Sequence, residues 1–444
     1  MAEIEAVDTL IEARWVIPVN PARRVLEEHS VAVRDGRIVA VLPRTQAQAA
    51  YIAAERISLP KHALIPGMVN LHTHASMTLM RGFADDLPLM QWLQDRIWPA
   101  EAKHVSPQFV YDGTLLACAE MLRGGITCFN EMYFYPGDAA RAALDMGMRA
   151  ALGLIAIDSP SAYASDADDY VTKGLALRDA LREHALLSFC MAPHAPYSVS
   201  DKTFSRLVIL AEELDLPVHI HVHETEDEIE RSLAQHGMRP LERLRRLGLV
   251  GPTLIAVHAI HLTPQEIVLL AQNGSSVAHC PSSNLKLANG FAPVTAMLAQ
   301  GVNIGLGTDG AASNNRLDLF QEMRQAALLA KTVGADARAL PAHQALSMAT
   351  LDGARALRLD HAIGSIEAGK FADLTAVEFT VPDTLPCYDP ISHIVYAAGR
   401  ENVSHVWVAG RLLVEKHELK VPPKNGLENL AVLWQNRLSM ETKA

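Results

Sequence analysis

What this 444-residue chain is short of narrows its chemistry first. Positive charge is in deficit, with 39 Lys and Arg against 50 Asp and Glu and a net charge of −11. A chain of that sign has no global attraction for nucleic acid or anionic lipid, so neither is expected as a partner. Cysteine is scarce: Cys118, Cys128, Cys190, Cys280 and Cys387 are odd in number, widely spaced and form no C-x-x-C. Neither a disulfide framework nor a cysteine zinc knuckle is supported. No apolar run reaches the ~18 residues of a bilayer-crossing helix. The opening MAEIEAVDTLIEARW carries acids where a signal peptide is basic, and a reducing cytoplasm is the expected setting. Glycine (26) and proline (24) are ordinary and scattered, which excludes collagen-like and low-complexity chains. Hydrophobic residues at 49% supply enough apolar surface to offset the entropy of ordering. No Gly-rich phosphate loop opens a helix. Also missing are H-E-x-x-H and the H-x-E…P-C-x-x-C pattern of the small cytidine-type deaminases.

What is present has a clear order. The first sixty residues read as β-structure, with VAVRDGRIVAVL turning at Asp35-Gly36. The last eighty or so return to it in ADLTAVEF and in VSHVWVAGRLLVEK, which turns at Ala409-Gly410. Between them, short apolar runs at 63–75, 126–133, 148–157, 186–198, 217–226, 253–262, 275–281 and 302–313 alternate with helical-period stretches. Such all-apolar runs suit parallel strands buried on both faces. Eight strand–helix units predict an α/β fold, a (β/α)8 TIM-like barrel over 63–362. The terminal segments, 1–62 and 363–444, are expected to pair into a small β-sandwich domain. A doubly wound open sheet is the structural rival.

Polar residues gather at the ends of the apolar runs: His72, His74, Asn130, Glu131, His194, His221, Glu224, His258, His279 and Asp309. In a barrel the C-terminal ends of the strands carry the chemistry, which favours that fold over its rival. Alternate strand residues point the same way, so His72-Thr73-His74 sets two imidazoles on one side. Alone, H-x-H is as readily a chance product of 19 histidines. In HIHVHETE, His219, His221 and His223 share a face, with Glu224 at the strand's end. Buried imidazoles there need a hydrogen-bond partner or a metal. His258 follows on the next run. His261 reads more plainly as a loop residue, and Asp309, between Gly307 and Gly310, could simply cap a helix. Three histidines and an aspartate together suit a borderline divalent ion such as Zn2+, with a position left for water or substrate.

LIPGMVNLHTHASMTLMRG, H-x-x-E on the fifth run, a histidine on the sixth, SSNLKLANG and GTDGAASNN together resemble the amidohydrolase superfamily. Within it, the chain is similar to the 5′-methylthioadenosine/S-adenosylhomocysteine deaminases over nearly its full length. The resemblance implies that His72, His74, His221 and Asp309 ligate one divalent metal: Zn2+, with Fe2+ or Mn2+ able to use the same ligands. His258 would orient the water and Glu224 would shuttle protons to the ring. The fourth run, LLSFCMAPHAPYS, has no lysine to bridge a second metal, so one ion is expected. The implied activity is hydrolytic deamination at C6 of an adenine nucleoside, a small-molecule partner. Glu101 would bind the ribose hydroxyls and His194 the purine, although Glu101 after Pro99 also reads as a first-turn helix acid.

The long stretch MTLMRGFADDLPLMQWLQDRIWPAEAKH could cover substrate or pair two copies into a homo-oligomer, and the uses are compatible. The segment DSPSAYASDADDY is acidic and has no Arg or Lys before Lys173. Arginine would be expected to meet the carboxylate of S-adenosylhomocysteine. The expectation is therefore 5′-methylthioadenosine first, with adenosine and S-adenosylhomocysteine weaker. The alternatives are a guanine, pterin or triazine hydrolase with the same ligands, and a metal-free barrel scaffold.

Overall fold

The computed structural model describes residues 4–421 and 426–439. Residues 1–3, 422–425 and 440–444 of the two terminal segments lie outside the described residues. Four strands come first: β1 (Glu5–Val16), β2 (Leu26–Arg34), β3 (Arg37–Pro43) and β4 (Tyr51–Pro66). The eight barrel strands follow as β5 (Met68–Thr73), β6 (Ile126–Glu131), β7 (Arg149–Ala156), β8 (Leu187–Pro193), β9 (Val218–Val222), β10 (Leu254–His258), β11 (Ser276–His279) and β12 (Asn303–Leu306). The last four are β13 (Leu374–Glu378), β14 (Val403–Val408), β15 (Arg411–Glu415) and β16 (Glu418–Leu419).

β5 to β12 lie side by side in chain order, all parallel. An open doubly wound sheet would reverse its strand order partway. Here the chain instead returns to its start. Beyond β12, the Asp309 amide donates to the His72 carbonyl (3.0 Å) and the Thr308 amide to Asn70 Oδ1 (2.9 Å). Every residue of β5, β6, β7, β9, β10 and β11 is buried. That is the reason these runs lack the polar alternation of a one-sided sheet. The fold is a (β/α)8 barrel.

Both ends of the chain build the second sheet, in the order β16-β15-β14-β13-β4-β1-β2-β3. The join is antiparallel, β13 on β4, from Leu374 opposite Pro66 to Glu378 opposite His62. The run at 63–75, one strand by its hydrophobicity, is two: it leaves the terminal sheet at Pro66 and enters the barrel at Met68. Gly67 makes the crossing, because a Cβ there would lie 2.1 Å from Thr127 Oγ1. Apolar patterning cannot reveal this switch, since both sides of it are buried. A buried ion pair ties the two sheets together. Arg149, opening β7, donates from Nε to Asp373 Oδ2 (2.8 Å) and from Nη2 to Oδ1 (3.2 Å), just before β13. Among the described residues no helix is long and apolar enough to cross a membrane.

Candidate active site

The strand ends deliver the histidines to one place. His72 lies on β5, His74 just past it, His221 on β9, His258 closes β10, and Asp309 follows β12 by three residues. His258 and Asp309 take φ of +68° and +60°. These left-handed turns are uncommon for side-chain-bearing residues and mark a backbone held by its surroundings.

Hydrogen bonds decide which ring nitrogen of each imidazole is free. The Nδ1 of His74 meets the Met132 carbonyl (2.5 Å), that of His221 the His194 carbonyl (2.7 Å), and that of His258 Asn284 Oδ1 (2.9 Å). A carbonyl oxygen only accepts, so each Nδ1 carries the hydrogen and each Nε2 presents a bare lone pair. His72 Nε2 lies 3.2 Å from His221 Nε2 and 3.3 Å from Asp309 Oδ1, and His74 Nε2 lies 3.3 Å from the same oxygen. Ligands ~2.0–2.2 Å from one tetrahedral ion sit about 3.3–3.6 Å apart. Burial holds His72 down at about 4 and His221 well below the ordinary imidazole value, keeping both neutral. His72 stands in two such groups, one with His74 and Asp309 and one with His221 and His258, and neutral imidazoles and a carboxylate at this spacing fit a borderline divalent cation.

Glu224 stands beside this group, 3.7 Å from His258 Nε2 and accepting from Asn289 Nδ2 (3.0 Å). Burial raises its pKa. Burial opposes the charge on His258, but the carboxylates of Glu224 and Asp309 outweigh it and raise that pKa too. Asp309 goes the other way and lies well below the usual range despite its burial. Its Oδ2 accepts from Ser283 Oγ (2.6 Å) and lies 4.0 Å from His258 Nε2. Two buried carboxylates brace the backbone. Glu228 accepts from the amides of His223 (3.0 Å) and Glu224 (2.9 Å), and Glu131 accepts from Ala75 N and Thr73 Oγ1.

Above the group opens a cavity of about 960 Å3, which His74, His194, His221, Glu224, His258 and Asp309 all line. The stretch after β5 supplies much of its wall, through Leu89, Trp92, Ile97 and Glu101, so covering the site is one of its uses. Tyr133 donates its hydroxyl to Glu101 Oε1 (2.5 Å). Burial lifts the Glu101 pKa to about 7 against that bond. His194 also lines the cavity, with Nδ1 on Ser198 Oγ (2.9 Å), and burial holds it at about 4.

Other histidines from the sequence reading lie elsewhere. His223, at φ +57°, has left the face it was expected to share; it accepts from the Leu241 amide and sits on the His261 carbonyl. His279 is buried and does not line the main cavity. Sequence reasoning missed Tyr133, Asn289, Ser283 and Arg231. Ser283 and Asn289 lie inside SSNLKLANG, but nothing in that string reveals their partners. The acidic segment after β7 does line the cavity, through Asp158 to Tyr163, yet a cation arrives from another element. Arg231, on the helix Glu226–His236, lines it too, with Nε on Asp227 Oδ2 (2.8 Å).

The model of the amidohydrolase family matches residues 63–413. A 5-methylthioadenosine/S-adenosylhomocysteine deaminase of Saccharophagus degradans is 46% identical over 434 residues, 98% of this chain and 97% of its own length. Its counterpart in Teredinibacter turnerae is 45% identical, covering 99% of each chain. The crystal structure of an adenosine deaminase from Xanthomonas campestris with bound zinc superposes with a TM-score of 0.97. It is 51% identical and covers 99% of this chain and 100% of that one. The chain belongs to the amidohydrolase family, and within it to the 5-methylthioadenosine/S-adenosylhomocysteine deaminases.

Proposed function

We propose that the chain deaminates an adenine nucleoside at C6, with 5′-methylthioadenosine preferred and adenosine and S-adenosylhomocysteine weaker. The carrying observation is the convergence of three imidazole Nε2 atoms and the Asp309 carboxylate beside a buried glutamate, at the floor of a nucleoside-sized cavity. His72, His74, His221 and Asp309 would hold one divalent ion, zinc in this reading. Such an ion supplies water acidified to a pKa near ~7.

The side chains do the rest. In this reading Glu224, whose pKa burial raises, enters the step protonated and gives that proton to N1 of the purine as water adds at C6. That protonation spreads the charge the addition would otherwise leave on the ring. His258, between Glu224 and Asp309, orients the water and shares its proton with Asp309. That proton then passes to the amino nitrogen, the C6–N bond breaks and ammonia leaves, while the C6 hydroxyl returns a proton to Glu224 and becomes the carbonyl. Glu101 takes the ribose hydroxyls and His194 faces the purine, while Trp92, Tyr133 and Phe134 exclude water.

The acidic segment on the cavity wall favours an uncharged 5′ substituent. Arg231 supports a second reading in which the carboxylate of S-adenosylhomocysteine is bound. A panel of aminopurine nucleosides, guanine and triazines monitored for ammonia release tests both. The first reading predicts the highest kcat/KM with 5′-methylthioadenosine. A clear advantage for S-adenosylhomocysteine, lost in Arg231→Ala, would replace it with the second. Release only from guanine or triazines would overturn the class.

A further inference from the structure

The imidazoles around Asp309 differ in what holds their far side. His74, His221 and His258 each rest Nδ1 on a fixed oxygen. His72, at the centre, rests its Nδ1 on another imidazole, His219 Nε2, at 3.0 Å. His219 is wholly buried one strand pleat below His221, and its own Nδ1 has no hydrogen-bond partner. A buried polar atom left unpaired is unfavourable and calls for a reason.

Which nitrogen carries the hydrogen supplies one. For His72 to offer a lone pair at Nε2, its hydrogen must sit on Nδ1, and that N–H needs an acceptor. His219 Nε2, 3.0 Å away, is placed to be that acceptor. His219 then carries its hydrogen on Nδ1, the atom that finds no partner. The unpaired nitrogen is the consequence of pointing the His72 lone pair at Asp309 and His221.

We infer that His219 is a positioning residue, which fixes the tautomer and aim of His72 and so raises this chain's affinity for its divalent ion. The inference rests on the metal site proposed above. Neither a carbonyl nor a carboxylate reaches His72 Nδ1 from elsewhere among the described contacts. Removing the acceptor leaves the buried N–H unpaired and lets the hydrogen move to Nε2, where it blocks the lone pair. Hydrogen-bond partners of metal-binding histidines typically contribute ~10–100-fold in affinity.

The test uses the full chain, stripped by chelator and titrated with zinc alone against a chromogenic chelator. His219→Leu fills similar space without an acceptor and should raise the zinc Kd ~10–100-fold. His219→Gln keeps an acceptor near the Nε2 position and should stay within a few-fold of wild type. Urea unfolding of the metal-free proteins separates positioning from packing, because the Leu variant should be no less stable than wild type. Wild-type zinc affinity in His219→Leu would overturn the inference. So would equal losses in the Leu and Gln variants accompanied by a destabilised metal-free protein. Wild type that binds no zinc would refute the metal site itself, a result distinct from either.

Discussion

Removing one hydroxyl should move the pH dependence of substrate binding without touching the chemistry. Glu101 faces the cavity with a pKa raised by burial to about 7, and Tyr133 donates the one hydrogen bond opposing that rise. A hydrogen bond to a charged group contributes ~1.5–3 kcal/mol, and one pKa unit is worth ~1.36 kcal/mol. Tyr133→Phe should therefore raise Glu101 by roughly one to two units, to roughly 8–9. The sign follows from the acid: Glu101 is ionised above its pKa, and in the role proposed for it above it would accept from the ribose hydroxyls best in that form. In wild type KM should fall as pH rises through about 7; in the variant the fall should come at roughly pH 8–9. At pH 7.5 the ionised fraction drops from about three quarters to roughly a tenth, which predicts a KM about eight-fold higher. Above roughly pH 10 the two proteins should converge. The assay is ammonia release from 5′-methylthioadenosine at several concentrations across this range. Superimposable KM profiles, or a kcat loss with an unmoved KM profile, would rule out this coupling of Tyr133 to Glu101.

Three other perturbations have definite expected outcomes. Glu224→Gln should lower kcat ~10²–10⁴-fold, the usual span for a lost proton-transfer group, with metal content unchanged by elemental analysis. Arg149→Met leaves Asp373 charged and buried, with the Ala409 amide (2.7 Å) still donating to it. Breaking a buried pair from one side costs ~3–5 kcal/mol, which should appear as a lower urea midpoint. Chelator treatment should lower the thermal midpoint of wild type, and restored zinc should recover it, because a ligand bound only by the folded state stabilises that state.

The barrel was legible because its strands are short and buried on both faces, and because polar residues interrupt them only at one end. The H-x-H at His72 and His74 could be read from the two-residue strand period alone. The grouping of these histidines with His221 and Asp309 needed the likeness to a family, since three strands distant in sequence contribute them. The crossing at Gly67 was hidden because hydrophobicity is the same on both sides of it. His223 fits the alternation of β9 on paper, but the strand stops at Val222 and the next residue turns left-handed. Arg231 and Tyr133 were illegible for a different reason. Their meaning lies in which cavity the fold turns them toward, and no local spacing encodes that.

In the function proposed above, side chains from β5, β9 and the end of β12 share a single cation. Elemental analysis of the purified protein, run beside Asp309→Ala, tests it most directly. One divalent ion per wild-type chain is expected and next to none in the variant, with ammonia release lost alongside it. A variant that keeps both its metal and its turnover would contradict the account.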